Sequence, residues 1–272
     1  MDSLIYNIPA SLVGAYANRR VIVRSYDPAE LVGSISQLDP ANVLYGQLLS
    51  LDVEAAPLTK WQQPVPLDLV MTRLVDEFPL LYRFSHLLDK HAIRVSVPVI
   101  PGFSDAVRLS LALHFSVKLE IGQPDRQLVE ELSELLELYL HRSTIAQPVE
   151  YFHSTFLSFF HQEPSSLWFV QEEDPEQIRF VADNGEESLA KRLDGLPFQN
   201  GNGLRSNELE LASEKSECDD CEFFDRCGGY FKWPSKDFRC DGVKTLFGTM
   251  RAAAAELRTD LGRIPAAQGA AQ

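Results

Sequence analysis

Ile93-Arg94-Val95-Ser96-Val97-Pro98-Val99 alternates apolar and polar side chains, and Pro101-Gly102 closes the run. Such alternation marks a strand with one face against a core. Phe115-Ser116-Val117-Lys118-Leu119-Glu120-Ile121 is a second such strand, stopped by Gly122-Gln123-Pro124. Residues 104–113 between them have the length and composition of a short helix. A strand–helix–strand unit of this size predicts two parallel strands with a helical crossover.

The pattern extends to both sides. Val21-Ile22-Val23-Arg24-Ser25-Tyr26, ended by Asp27-Pro28, and residues 43–49 are further strands. Leu67, Val70, Leu74, Phe78 and Leu81 recur at helical spacing over 67–91, with Pro79 a point of division. Leu128, Leu132, Leu135, Leu136 and Leu140 share one face of a helix over 125–141, and another helix is expected over 148–161. The order predicts an α/β fold. Four strands are too few to close an eight-stranded barrel, so an open or partial (β/α) barrel is expected, working at the carboxyl ends of its strands. Beyond Pro164, Leu167–Gln171 and Ile178–Ala182 read as paired short strands, with Glu172-Glu173-Asp174 a solvated turn. A helix is expected over 243–261.

The 272 residues carry a formal net charge of −14, which argues against nucleic acid as a partner. No run is long and apolar enough for a membrane span. Met1-Asp2-Ser3-Leu4-Ile5 lacks the basic start of a signal peptide, so a cytoplasmic location with reduced thiols is expected.

All four cysteines of the chain, Cys218, Cys221, Cys227 and Cys240, fall within 23 residues. A disulfide framework has no reason to spare the rest of the chain, so the clustering predicts a metal site. The spacing is Cys-x2-Cys-x5-Cys-x12-Cys, and Gly228-Gly229 permits a tight turn after the third thiol. Four thiolates complete either one tetrahedral zinc or one [4Fe–4S] cluster.

Cys218-Asp-Asp-Cys221-Glu-Phe-Phe-Asp-Arg-Cys227-Gly-Gly-Tyr resembles the SPASM segment of radical SAM peptide maturases. Cys218, Cys221, Cys227 and the downstream Cys240 match positions of that motif. Phe231 stands where the motif has another cysteine, one that serves a second cluster whose upstream ligands are also missing. The resemblance therefore implies one auxiliary cluster kept whole and the other lost whole. It also implies a partial (β/α) barrel ahead of the cysteines. The Cys-x3-Cys-x2-Cys motif that holds the S-adenosylmethionine-cleaving cluster is absent: the stretch after Tyr26 is Asp27-Pro28-Ala29-Glu30-Leu31-Val32-Gly33. The chain is thus similar to the SPASM-only partner proteins of split radical SAM systems, such as the GeoRSP type.

On that resemblance, 1–163 would be a degenerate partial (β/α) barrel, 164–193 a hairpin or bridging region, and 194–217 a linker. Residues 218–262 would be the cluster-binding segment with a C-terminal helix, and 263–272 a disordered tail. The implied function is accessory: one auxiliary [4Fe–4S] cluster on Cys218, Cys221, Cys227 and Cys240, assisting a partner radical SAM enzyme on a ribosomal precursor peptide by electron relay or by binding. A binding or scaffold protein with a structural zinc is the alternative.

Other positions carry weaker signals. Asp27 and Glu120 end predicted strands, where a βα fold binds ligands, although a helix cap or solvated carboxylate explains either. A Lys118 facing a lumen would need a partner. Glu150-x2-His153, with Glu137-x3-His141 and His161 nearby, lacks the carboxylates of a di-iron set and reads as polar helix margins. Trp168, Trp233 and Tyr230 read as packing residues, with Phe231 and Trp233 also placed to shield a cluster from water. No nucleophile–base arrangement, P-loop or dinucleotide fingerprint is present.

Overall fold

The computed structural model describes residues 4–193 and 217–263. In chain order the elements are β1 (Ile5–Pro9), β2 (Arg20–Ser25), α1 (Pro28–Ile35), β3 (Val43–Leu48), α2 (Ala56–Lys60), β4 (Leu67–Val70), α3 (Leu74–Glu77), β5 (Ile93–Pro98), α4 (Phe103–Ala112), β6 (Ser116–Glu120), α5 (Arg126–His141), β7 (Val149–Glu150), α6 (Phe152–His161), α7 (Leu167–Val170), β8 (Ile178–Val181), β9 (Glu187–Ser188), α8 (Phe224–Cys227) and α9 (Asp241–Arg263). The strands form one sheet in the order β7-β6-β5-β4-β3-β2-β1-β8-β9. Among the described residues only the β8–β9 pair is antiparallel. The fold is mixed α/β, with a mostly parallel sheet flanked by helices.

The period-2 alternation sorts the strand side chains onto two faces. Ile8, Val23, Leu48, Leu69, Val95, Val97, Val117 and Leu119 are buried in the main apolar core. The opposite face carries Asn7, Arg24, Gln47, Asp68, Arg94, Ser96 and Lys118, in registers that place them side by side. This face is concave. The Glu172 carboxylate alone accepts from Tyr45 of β3, Arg94 of β5 and Lys118 of β6. One cavity of about 420 Å³ is also walled by residues of β1, β2, β3, β4, β6 and β8.

The helix ends follow local chemistry. Asp27 accepts from the Ala29 N–H and Pro28 opens α1, so Asp27 is a cap. Asp125 accepts from the Leu128 N–H at the start of α5. α9 approaches α5 at Gly242, where an added Cβ would sit 2.8 Å from Val129 Cγ1. Phe247, Met250 and Ala254 of α9 are buried.

Several expectations are corrected. Residues 67–70 are a strand, not the start of a helix: Leu67 and Leu69 bury on the core face while Asp68 points to the polar face. Four residues are too few for the period to be distinguished from 3.6. Beyond them lie α3 and a 3-10 stretch, Phe78–Asp89. The helix expected over 148–161 begins at Phe152, because Val149–Glu150 pairs with β6. Leu167–Val170 is a helical turn and not a strand, so 164–193 is not a simple hairpin: β8 pairs with β1 on one side and β9 on the other. The first strand is β1 and not the one over 21–26. The segment after it, Ala10–Tyr16, is also free of cysteine. α9 runs through Arg263, into the stretch expected as tail. Of the linker expected over 194–217, residues 194–216 lie outside the described residues, as does the tail beyond 263. Among the described residues no helix is long and apolar enough to cross a membrane.

Candidate metal centre

The cysteine segment is built from short backbone turns. The Cys221 N–H meets the Cys218 carbonyl at 3.2 Å, and the Cys227 N–H meets the Phe223 carbonyl at 2.9 Å. α8 ends at Cys227, and Gly228 and Gly229 follow at φ 56° and 71°. That left-handed pair suits glycine and turns the chain back past the third thiol. Cys240 immediately precedes α9, its carbonyl accepting from the Lys244 N–H at 2.8 Å.

These turns bring all four cysteines to the wall of one cavity, shared with Phe223, Phe231 and Phe247. All four are free thiols, with Cys218 and Cys240 buried. Burial pushes the Cys227 thiol up to about 11, with Cys218 and Cys221 adding to the effect. The backbone N–H groups of Phe231 and Tyr230 act in the opposite direction on Cys227. Burial likewise drives Cys240 up to about 12. Cys227 and Cys240, held this way, ionise together only with a compensating positive charge beside them, which a bound metal would supply.

Among the described residues no three His, Cys, Asp or Glu side chains converge tightly enough to chelate one metal ion. The donor set, four soft thiols around an apolar-walled cavity with N–H groups aimed at one sulfur, suits a zinc ion and an iron–sulfur cluster alike. Tyr151 adds an orphan donor: its buried hydroxyl has no partner among the described residues. Burial, and after it Cys227, raises its pKa.

Glu217 clasps this segment. Its carboxylate takes Lys232 Nζ at 2.9 Å, Lys244 Nζ at 2.9 Å and the Cys240 N–H at 3.2 Å. Burial works against the charged form, but the Lys244 and Lys232 hydrogen bonds outweigh it and hold the pKa down to about 2.

The segment docks on the carboxyl end of β6. The Tyr230 hydroxyl lies 2.9 Å from the Ile121 carbonyl and 2.8 Å from Glu173 Oε2. Arg192 stacks 3.8 Å over the Tyr230 ring and forms a 2.6 Å ion pair with Glu173, off line for a hydrogen bond at Nε. Gln123 Nε2 donates to the carbonyls of Phe231 and Ser235, both at 2.7 Å.

The concave face carries one continuous polar chain. Arg24 donates to Asn7 Oδ1, Asn7 Nδ2 to Gln47, and Gln47 Nε2 to Asp68. Asp68 also receives Ser96 and Arg94. Arg94 and Lys118 then converge on Glu172 at 2.7 and 2.8 Å. Burial opposes ionisation of Glu172, but Lys118 and Arg94 outweigh it and hold the carboxyl well below its usual range. Glu172 adopts φ 58°, a left-handed position unusual for a side chain of this size. The expected solvated turn is thus overturned: Glu172 is the hub of the concave face and Glu173 holds the cysteine segment.

The remaining candidates separate. Lys118 is buried on the concave face with the partner it needs. Glu120 lines the cavity above that face, whereas Asp27 only caps α1. Glu150 is on a strand and accepts from Ser154, while His153 pairs with Tyr139 at 2.8 Å, so they are not ligands on one helix face. Glu137 and His141 form an exposed pair, and His161 is exposed. Phe231 lines the cysteine cavity; Trp233 is buried without lining it. Arg94 and Asp68 escaped sequence reasoning, although the 93–99 alternation already put Arg94 and Ser96 on one face.

No protein-family model matches the chain, and no curated protein matches it significantly.

Proposed function

We propose that this chain is a SPASM-type accessory protein. It binds one [4Fe–4S] cluster through Cys218, Cys221, Cys227 and Cys240 and assists a partner radical SAM enzyme in modifying a ribosomal peptide. The observation that carries this reading is the gathering of every thiol of the chain around one cavity, docked on the carboxyl end of β6. The sequential parallel order of β1 to β7 and their concave polar face support a partial (β/α) barrel ahead of it. The absence of cysteine after both β1 and β2 leaves no ligands for a second, S-adenosylmethionine-cleaving cluster, which supports an accessory role.

When bound, the cluster supplies a one-electron redox centre. The chain's own residues do the rest. Phe223, Phe231 and Phe247 wall the cavity of the thiols and shield them in part from water. The Tyr230 and Phe231 N–H groups favour the thiolate form of Cys227. Tyr230, Glu173 and Arg192 hold the segment against the sheet.

The test is anaerobic purification followed by iron, sulfide and zinc analysis, with Cys221→Ala as control. About four iron and four sulfide per chain, lost in the variant, is the expected result. One zinc and no iron would refute the electron relay and leave a scaffold with a structural metal. Co-purification with a radical SAM enzyme tests the partnership.

A further inference from the structure

Three polar groups lining the 420 Å³ cavity keep charge or donor capacity that the network of the concave face does not match. Arg24 of β2 donates to the carbonyls of Asn7 and Val181 and to Asn7 Oδ1, all neutral acceptors. It makes no ion pair among the described residues, and Asp183 acts on it only through space. The Glu120 carboxylate of β6 accepts no hydrogen bond from the described residues; Lys118 acts on it through space while donating to Glu172. Gln171 is only 4% exposed. Its Oε1 takes the Ile121 N–H at 3.2 Å, but its Nε2 has no partner among the described residues.

The other charges of this wall are matched internally, Lys118 with Glu172 and Glu173 with Arg192, while Lys191 is exposed. A shielded amide donor is costly unless a ligand or an ordered water accepts from it. Gln171 binds the backbone next to Glu120, so an acceptor and a donor stand together at the end of β6. Arg24 stands four strands away on the same concave face. Ile22, Ile178 and Phe180 supply an apolar floor.

We propose that this cavity binds a zwitterionic peptide of dipeptide size. Its ammonium meets Glu120, its first carbonyl oxygen accepts from Gln171 Nε2, and its terminal carboxylate meets Arg24. An apolar side chain covers Ile22, Ile178 and Phe180. The cavity volume lies in the range usual for small-ligand sites. This goes beyond the accessory reading and does not depend on what the cysteines hold.

The experiment is isothermal titration calorimetry of the full chain with L-leucyl-L-leucine, its N-acetyl form and its C-terminal amide. Saturable binding of the free dipeptide is expected, with each blocked form weaker by roughly tenfold or more, because each loses a charge-assisted contact. Arg24→Met should abolish discrimination against the amide, Glu120→Gln discrimination against the N-acetyl form, and Gln171→Leu should weaken all three ligands. No saturable heat up to about 10 mM, or equal affinity for free and blocked forms, overturns the proposal. The comparison of ligands uses the unaltered chain, so a variant that fails to fold cannot obscure the result. Because the readout is heat of binding, failure here leaves the iron analysis untouched.

Discussion

Trp168 Nε1 donates a 2.9 Å hydrogen bond to the carbonyl oxygen of Gly228. The indole is fully buried and packs edge-on against Tyr230 at 4.9 Å. It therefore ties the helical turn ahead of Glu172 to the glycine turn that follows the third cysteine. Trp168→Phe keeps most of the apolar surface but leaves the Gly228 carbonyl unmatched. Urea unfolding should show a loss of about 1–3 kcal/mol. Under the proposed function, iron retained after gel filtration should fall as well, because the turn that aims Cys227 is loosened. Full iron retention alongside lowered stability would separate the two roles.

Glu172 is the second place where distant residues are bound together. Glu172→Ala leaves Arg94 and Lys118 without their shared carboxylate, and a loss of about 3–5 kcal/mol is expected from urea denaturation. Lys118→Met combined with Glu172→Gln should cost less than the two single changes added together, by about 1–3 kcal/mol. Strict additivity would show that the pair does not act as a unit.

Those contacts also explain what could and could not be read in advance. The alternation around Arg94 and Lys118 is visible because β5 and β6 are long enough to show period 2. β4 is four residues long, and Leu67, Val70 and Leu74 coincide with helical spacing. β1 is short and ends in proline, and only its pairing with β2 and β8 makes it a strand. Glu172 and Glu173 look like a solvated acidic turn because their partners are remote: Arg94 is 78 residues away and Lys118 is 54. The cysteines are legible because three of them are local and chemically distinctive. Their docking on Ile121 and Glu173 is not, since nothing near Tyr230 in sequence announces either contact.

Glu217 makes the cysteine segment sensitive to acid. Its folded pKa is depressed to about 2, so its stabilisation is fully present above the unfolded value of about 4.3 and is lost as pH falls towards 2. Urea midpoints of the native chain and of Glu217→Gln should differ at pH 7. That difference should shrink between about pH 4.3 and pH 2. Glu172 contributes with the same sign in both proteins and cancels from the comparison. A gap independent of pH would show that the carboxylate charge is not what holds Lys232 and Lys244.

Phe231 stands where the proposed resemblance to the SPASM pattern would place a further cysteine. Its ring lines the cysteine cavity, meets Tyr230 edge-on at 5.4 Å and stacks on Phe238 at 6.1 Å. Its N–H also faces Cys227. Phe231→Ala keeps that N–H while opening the wall, so it isolates the shielding role of the ring. The transfer and cavity costs together should reach about 3–5 kcal/mol in unfolding experiments. Under the proposed function, the visible absorption of the cluster should bleach in air several-fold faster than in the native chain. Phe231→Leu refills much of the volume and should restore most of the stability and most of the lifetime. Should the alanine variant keep its colour as long as the native chain, water access through this wall does not limit the cluster, and Phe231 is there for packing alone.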